Sequence, residues 1–130
     1  MDADPAVDDA NGAFLLFLSG ARAGTRVVIP RVDEAPFVIG RSVDAGLSLF
    51  AHGEIARAHC ALRAGPAGGH VIEDCKSTNG TFVNRVRVHR TALADGDEIQ
   101  VGTILFRYFC GPGAAERVEA ARGALARVDP

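Results

Sequence analysis

From Phe14 onward, short runs of Val, Ile, Leu and Phe alternate with clusters of Gly, Pro, Asn and Asp, at the spacing of roughly 8 to 12 residues typical of all-β domains. The pattern predicts strands over Phe14–Ser19, Thr25–Pro30, Phe37–Arg41, Leu47–Phe50, His59–Arg63, His70–Asp74, Thr81–Val83, Arg85–His89, Glu98–Val101 and Thr103–Cys110. Alternation gives these strands one core-facing side. Ile104, Phe106 and Tyr108 share a side that Arg107 avoids, and Val86 and Val88 alternate with Arg85, Arg87 and His89. Turn residues fall between the runs, at Gly65-Pro66, Gly68-Gly69, Asn79-Gly80 and Asp95-Gly96, and several connections are consistent with hairpins. Many short strands without a helix between them predict two packed antiparallel sheets, an all-β sandwich rather than an α/β fold.

The chain ends differ in character from this middle. Residues 1–12 carry Asp2, Asp4, Asp8 and Asp9 with little to bury, and read as a flexible acidic tail. Residues 13–110 hold the sandwich. Within residues 111–130, Ala114 to Arg127 places Val118, Ala121, Leu125 and Val128 on one helical face, interrupted by Gly123. An isolated helix of this length is marginal in water, so this segment is expected to fray rather than pack.

Length and composition narrow the function. A chain of 130 residues, 48% hydrophobic and 23% charged, is one ordinary globular domain. Its formal charge of -2 supplies no overall field for nucleic acid or an anionic membrane, so any anion site must be local. The Phe14–Leu18 run is far short of the roughly 20 apolar residues that span a bilayer. Cys60, Cys75 and Cys110 form no Cys-x-x-Cys pair and follow an acidic Met1–Asp9 rather than a secretory signal, which predicts reduced thiols in the cytoplasm. His52, His70 and His89 lack partners at metal-ligand spacing and read as surface residues; no metal or cofactor is expected.

Three segments exceed what strands and turns require: Gly40-Arg41-Ser42, Ile55-Ala56-Arg57-Ala58-His59-Cys60, and Asp74-Cys75-Lys76-Ser77-Thr78-Asn79-Gly80-Thr81-Phe82-Val83-Asn84. In that order, and followed by Leu93-x-x-Gly96-Asp97-x-Ile99-x-x-Gly102, they resemble the signature of the forkhead-associated (FHA) domain over roughly Phe14 to Tyr108. The resemblance implies a sandwich of about eleven strands whose loops at one end bind a phosphothreonine peptide. Arg41, at a strand end after Gly40, offers the planar multiple donors a phosphate dianion needs. The Thr78 hydroxyl can donate to phosphate, and the Asn79 amide can clamp peptide main chain. As a plain turn, Asn79-Gly80 would equally signal a hairpin. His59 and Cys60 point to opposite faces of a strand, which disfavours a shared reaction centre. His59 resembles the family's internal strut instead. Ser77, Gly80, Thr81 and Asn84 read as bracing for the loops, and Ser42 as a secondary contact.

Two positions depart from the family pattern. Ala56 stands where the family has a phosphate-binding Ser, a loss of about 1.5–3 kcal/mol, or about 10- to 100-fold in affinity, that Arg57, Lys76 and backbone donors can offset. Arg85 stands where a Gly often follows Val-Asn, so a different turn is expected, with Arg85 and Arg87 favouring an acidic residue in the partner. Residues 1–13 and 109–130 contain no Ser, Thr or Tyr, so the ligand is expected in trans. The sequence therefore predicts a monomeric, non-enzymatic adaptor that binds a phosphothreonine-containing protein in a bacterial Ser/Thr-kinase pathway. The runner-up is a phosphorylation-independent scaffold. A hydrolase or thiol enzyme ranks last, because no nucleophile has a base and a donor-lined hole beside it.

Overall fold

The computed structural model describes residues 12–126. The acidic tail expected over residues 1–12 therefore lies, Gly12 apart, outside the described residues, as does Val128. The strands are β1 (Ala13–Phe17), β2 (Arg26–Val28), β3 (Phe37–Gly40), β4 (Leu47–Ser48), β5 (Cys60–Ala64), β6 (His70–Asp74), β7 (Thr81–Val83), β8 (Val86–Val88), β9 (Arg90–Ala92), β10 (Glu98–Val101) and β11 (Ile104–Cys110), followed by helix α1 (Ala114–Ala126). A six-stranded sheet runs β2-β1-β11-β10-β7-β8, and a five-stranded sheet runs β4-β3-β5-β6-β9. Every pairing is antiparallel except β3 with β4, which run parallel in the register Ile39↔Leu47 and Gly40↔Ser48. The inner faces meet in one core that includes Leu15, Phe17, Ile39, Ile55, Leu62, Ile72, Ile99, Phe106 and Tyr108, all at most 1% exposed. The predicted alternation holds in β11, where Ile104, Phe106 and Tyr108 are buried and Leu105 and Arg107 are half-buried.

The chain has one more strand than the pattern predicts. The stretch read as a single strand, Arg85–His89, is followed at once by β9, and the chain crosses from the six-stranded to the five-stranded sheet at His89. The His89 carbonyl accepts from the Asp74 amide at 2.8 Å. Alternation records which side chains are covered, not which sheet covers them, so this crossing left no mark in the pattern.

The helix does not fray. Beneath it, Phe14, Leu16 and Phe109 form a second apolar cluster with Ala114 and Val118, against which Ala121 and Leu125 pack. β1 is thus covered on both faces, which explains its unbroken apolar sequence Ala-Phe-Leu-Leu-Phe. Polar contacts pin both ends of the helix. Arg117 donates to Asp95 at 3.0 Å and to the Cys110 carbonyl at 2.9 Å. Arg122 donates to Glu119 at 2.8 Å and to the Gly24 carbonyl at 2.8 Å.

His70 is another departure, being 8% exposed rather than on the surface. Its Nδ1 lies 2.6 Å from the Tyr108 hydroxyl, joining β6 of one sheet to β11 of the other. Burial lowers the His70 pKa, and burial is also the main cause raising that of Tyr108. A neutral imidazole and a protonated phenol therefore share this hydrogen bond. A base held neutral in this way contributes stability that is complete above its ordinary value of 6.5 and is lost as the pH falls below it. The melting temperature should drop more steeply between about pH 7.5 and about pH 5.5 in wild type than in His70→Gln, measured by calorimetry.

The β7–β8 hairpin closes through Asn84 and Arg85, with φ of 50° and 72°. Two positive values in a two-residue loop give the type I′ turn that favours Asn-Gly, so the turn is of the usual hairpin type with a strained second residue. Arg85→Gly should stabilise the fold by about 1 kcal/mol and raise the midpoint of thermal unfolding by a few degrees.

Candidate functional site

The site begins where β3 ends. A Cβ built on Gly40 would lie 2.2 Å from the Arg57 carbonyl oxygen, so only glycine lets the two backbones meet. That approach is locked by Arg41 N donating to Ala56 O at 2.9 Å and Ser42 N to Arg57 O at 3.1 Å, while Leu49 N donates to Gly40 O at 2.7 Å. Arg41 emerges half-buried, its Nε fixed on the Ile55 carbonyl at 3.1 Å. The terminal amino groups of its guanidinium make no hydrogen bond to the described residues. The Ser42 hydroxyl accepts from the Asp44 amide at 3.2 Å within its own turn.

His59 sits immediately before β5, fully buried. Its Nδ1 accepts from the Ala56 amide at 3.1 Å, so the ring proton is on Nε2, which donates to the Gly80 carbonyl at 2.8 Å. Its backbone is equally occupied, with N donating to Ile39 O at 2.9 Å and O accepting from Cys75 N at 2.8 Å. One residue thereby ties its own segment to the β6–β7 loop and to β3 at Ile39, immediately before Gly40. Both ring nitrogens are used, which removes it as a base. Burial pushes the Cys60 thiol well above its ordinary range, and burial with Asp74 and Glu73 raises Cys75, so neither is an activated thiolate.

The loop between β6 and β7 is shaped by Asp74, a residue the sequence reading left unassigned. Its Oδ1 accepts from the Ser77 hydroxyl at 2.5 Å and the Thr81 hydroxyl at 2.8 Å, and its Oδ2 accepts from the Ser77 amide at 3.0 Å. Burial acts to raise the Asp74 pKa, but these hydrogen bonds outweigh it and hold the carboxyl below its ordinary value. The Gly80 amide donates to the Ser77 hydroxyl at 3.0 Å. The Asp-x-x-Ser spacing, which lets a carboxylate cap a turn, was the available signal. Lys76 and Gly80 take positive φ of 61° and 89°. Asn79-Gly80 closes no hairpin, because this loop carries the chain from one sheet to the other.

The exposed tip of this loop meets Arg41 across the segment before β5. Asn79 Nδ2 donates to the Glu54 carbonyl at 2.7 Å, while Arg41 holds the very next carbonyl, that of Ile55. Glu54 is anchored in turn by Thr103 Oγ1 at 3.0 Å, and a Cβ on Gly102 would strike Ile55 at 2.7 Å. Thr78 is exposed, and its carbonyl accepts from Arg87 Nη2 at 3.4 Å. The Arg87 side chain lies over Gly80, where a Cβ would come within 2.6 Å of its Nε. Arg41, Arg57, Thr78 and Asn79 are thus presented around one segment, with Gly40, His59, Ser77, Gly80 and Thr81 behind them and Ser42 and Lys76 on the same loops. Arg85 is not brought there. It caps the other end of the β7–β8 hairpin, where Asn84 bonds Asp97 at 2.9 Å and the Glu98 amide at 3.0 Å.

Among the described residues Arg26, Arg63, Arg90, Arg117 and Arg122 pair with carboxylates, whereas Arg22, Arg31, Arg85 and Arg107 do not. Arg41, Arg57, Lys76 and Arg87 pair with none among the described residues. The backbone amides of Arg57, Ala58, Lys76, Thr78 and Asn79 also lack partners among those residues, whereas the Ala56 amide is taken by His59. Among the described residues no group of three or more His, Cys, Asp or Glu is placed to hold a metal ion.

A family model described as the FHA domain matches residues 37–102. The chain belongs to the FHA domain family. It is 32% identical over 103 residues to the glycogen accumulation regulator GarA of Mycolicibacterium smegmatis, a match covering 79% of this chain and 62% of GarA. The oxoglutarate dehydrogenase inhibitor of Corynebacterium efficiens is 31% identical over 105 residues, covering 81% of this chain and 70% of that protein. The chain thus spans about three fifths of the length of the mycobacterial relatives. A solved structure concerned with phosphothreonine-dependent FHA domain interactions superposes with a TM-score of 0.67 at 28% identity, over 78% of this chain and 98% of that one. Among the described residues no helix is long and apolar enough to cross a membrane.

The Gly40 contact can be tested directly. Gly40→Ala should cost about 1–3 kcal/mol in chemical denaturation and shift the amide resonances of Arg41, Ala56 and Arg57. Gly53→Ala, on the β4–β5 loop that also carries Arg57 and with nothing within 4 Å of its Cβ, should do neither.

Proposed function

We propose that this FHA domain is a phosphothreonine-peptide-binding adaptor in Ser/Thr-kinase signalling, acting in the cytoplasm by binding rather than catalysis. One observation carries the reading: Arg41 and Asn79 are held on consecutive carbonyls, those of Ile55 and Glu54, amid cations that pair with no carboxylate and backbone amides that have no acceptor among the described residues. A phosphate dianion supplies the missing charge and acceptors. In this reading Arg41, Arg57 and Thr78 hold the phosphate and Asn79 holds peptide main chain. Gly40, His59, Ser77, Gly80 and Thr81 keep the loops in shape, Ser42 and Lys76 make secondary contacts, and Asn84, expected to brace the site, instead ties the distant β7–β8 turn to Asp97 and Glu98. The sandwich, residues 13–110, acts with α1 as one folded unit and binds as a monomer.

A second reading, a scaffold indifferent to phosphorylation, is favoured by Ala56 alone. That residue brings no hydroxyl, and its amide is already committed to His59. The two readings part on one titration. A peptide in its Thr, phosphoserine and phosphothreonine forms should bind in clearly increasing order by calorimetry, and Arg41→Ala should weaken the phosphothreonine form at least about 10-fold. Ala56→Ser should tighten it by about 10- to 100-fold. Equal binding of all three forms would establish the scaffold instead.

A further inference from the structure

The large apolar side chains that stand exposed among the described residues are Val28, Val43, Phe50 and Val86. Val28 and Val86 lie on β2 and β8, the two edges of the six-stranded sheet. Val43 and Phe50, 77% and 69% exposed, lie instead on the two loops that frame Arg41. Each occupies the second position of a turn, one closed by Ala45 N on Ser42 O at 3.0 Å, the other by His52 N on Leu49 O at 3.0 Å. Neither turn needs an apolar residue there, since this turn position accepts most side chains. The parallel register Ile39↔Leu47 and Gly40↔Ser48, continued by Leu49 N on Gly40 O, sets Phe50 beside Ser42. In the order β4-β3-β5-β6, β4 lies on the side of β3 away from β5 and β6, so the loops that carry Val43 and Phe50 adjoin Arg41 on the side away from the strand that leads to Thr78 and Asn79.

We propose that Val43 and Phe50 form an apolar contact that reads a large apolar side chain of the bound segment, on the Arg41 side of its phosphothreonine. The inference rests on the phosphopeptide reading of the site. Continuity with the cation cluster selects this occupant: an extended segment advances about 3.3 Å per residue, so a side chain two to four residues from the phosphate reaches the loops around Arg41. An aromatic beside an arginine is also the composition of a binding hot spot, where exposure in the free protein is relieved by the partner.

The test uses phosphothreonine peptides carrying Leu or Ser at each of the four positions on either side of the phosphothreonine, titrated into wild type, the double variant Val43→Ser/Phe50→Ser, and Phe50→Ser alone. Wild type should bind the Leu peptide roughly 10-fold tighter than the Ser peptide at one such position. The double variant should lose that preference, Phe50→Ser should lose most of it, and the affinity of the Ser peptide should stay unchanged. Absence of a Leu preference at every position, or its persistence in the double variant, overturns the proposal. A wild-type dimer in sedimentation that the double variant abolishes, with no effect on peptide preference, overturns it in favour of a second copy of this chain. Failure of the underlying reading is separately visible, as equal binding of the Thr and phosphothreonine forms by wild type.

Discussion

The buried imidazole of His59 is the point at which three loops become one surface. Loops that leave two different sheets have no ladder to align them, and a few tenths of an ångström decide whether donors converge on a tetrahedral anion. His59 supplies the alignment by accepting from the Ala56 amide and donating to the Gly80 carbonyl, with both of its own backbone groups also engaged. A fully buried ring with both nitrogens satisfied is inexpensive to keep and expensive to break, because loss of either partner leaves a polar group unpaired at a cost of about 1–3 kcal/mol. The same wiring leaves the histidine of the Arg-x-His stretch with no free ring nitrogen. The residue is fully occupied as a joint.

Close backbone approach is the second constraint, and it makes sense of glycines scattered far apart in the sequence. Gly40 admits the Arg57 carbonyl, Gly102 admits Ile55, and Gly80 admits the Arg87 side chain. All three contacts press on the segments that carry the proposed ligands. The hydroxyl and carboxylate set of Asp74, Ser77 and Thr81 then freezes the remaining loop, so that Lys76 can keep a left-handed backbone next to it.

Much of this could be read from the chain. Strand positions followed from alternation, and the residues that converge on one end were those whose spacing resists explanation as strand or turn. What stayed hidden has physical causes. The crossing at His89 preserves alternation while changing sheets. The burial of His70 depends on Tyr108, 38 positions away in sequence, and no local pattern reports such a partner. The packing of α1 was foreshadowed by the unbroken apolar run of β1, which only a layer on its second face could justify. Arg85 looked close to the site because it is close in sequence, yet a strand running away from the loop carries it to the opposite end.

The helix laid over β1 and β11 gives the molecule a third layer on the flank of the sandwich, built from strands other than those whose ends carry the proposed ligands. The amides of β1 are well sheltered, since it is an inner strand bonded to β2 and β11 with protein above and below it. The loops around Arg41 and Thr78 hang from other strands, so their residues can be exchanged without touching this foundation. A domain organised in this way can change what it recognises while its architecture stays put.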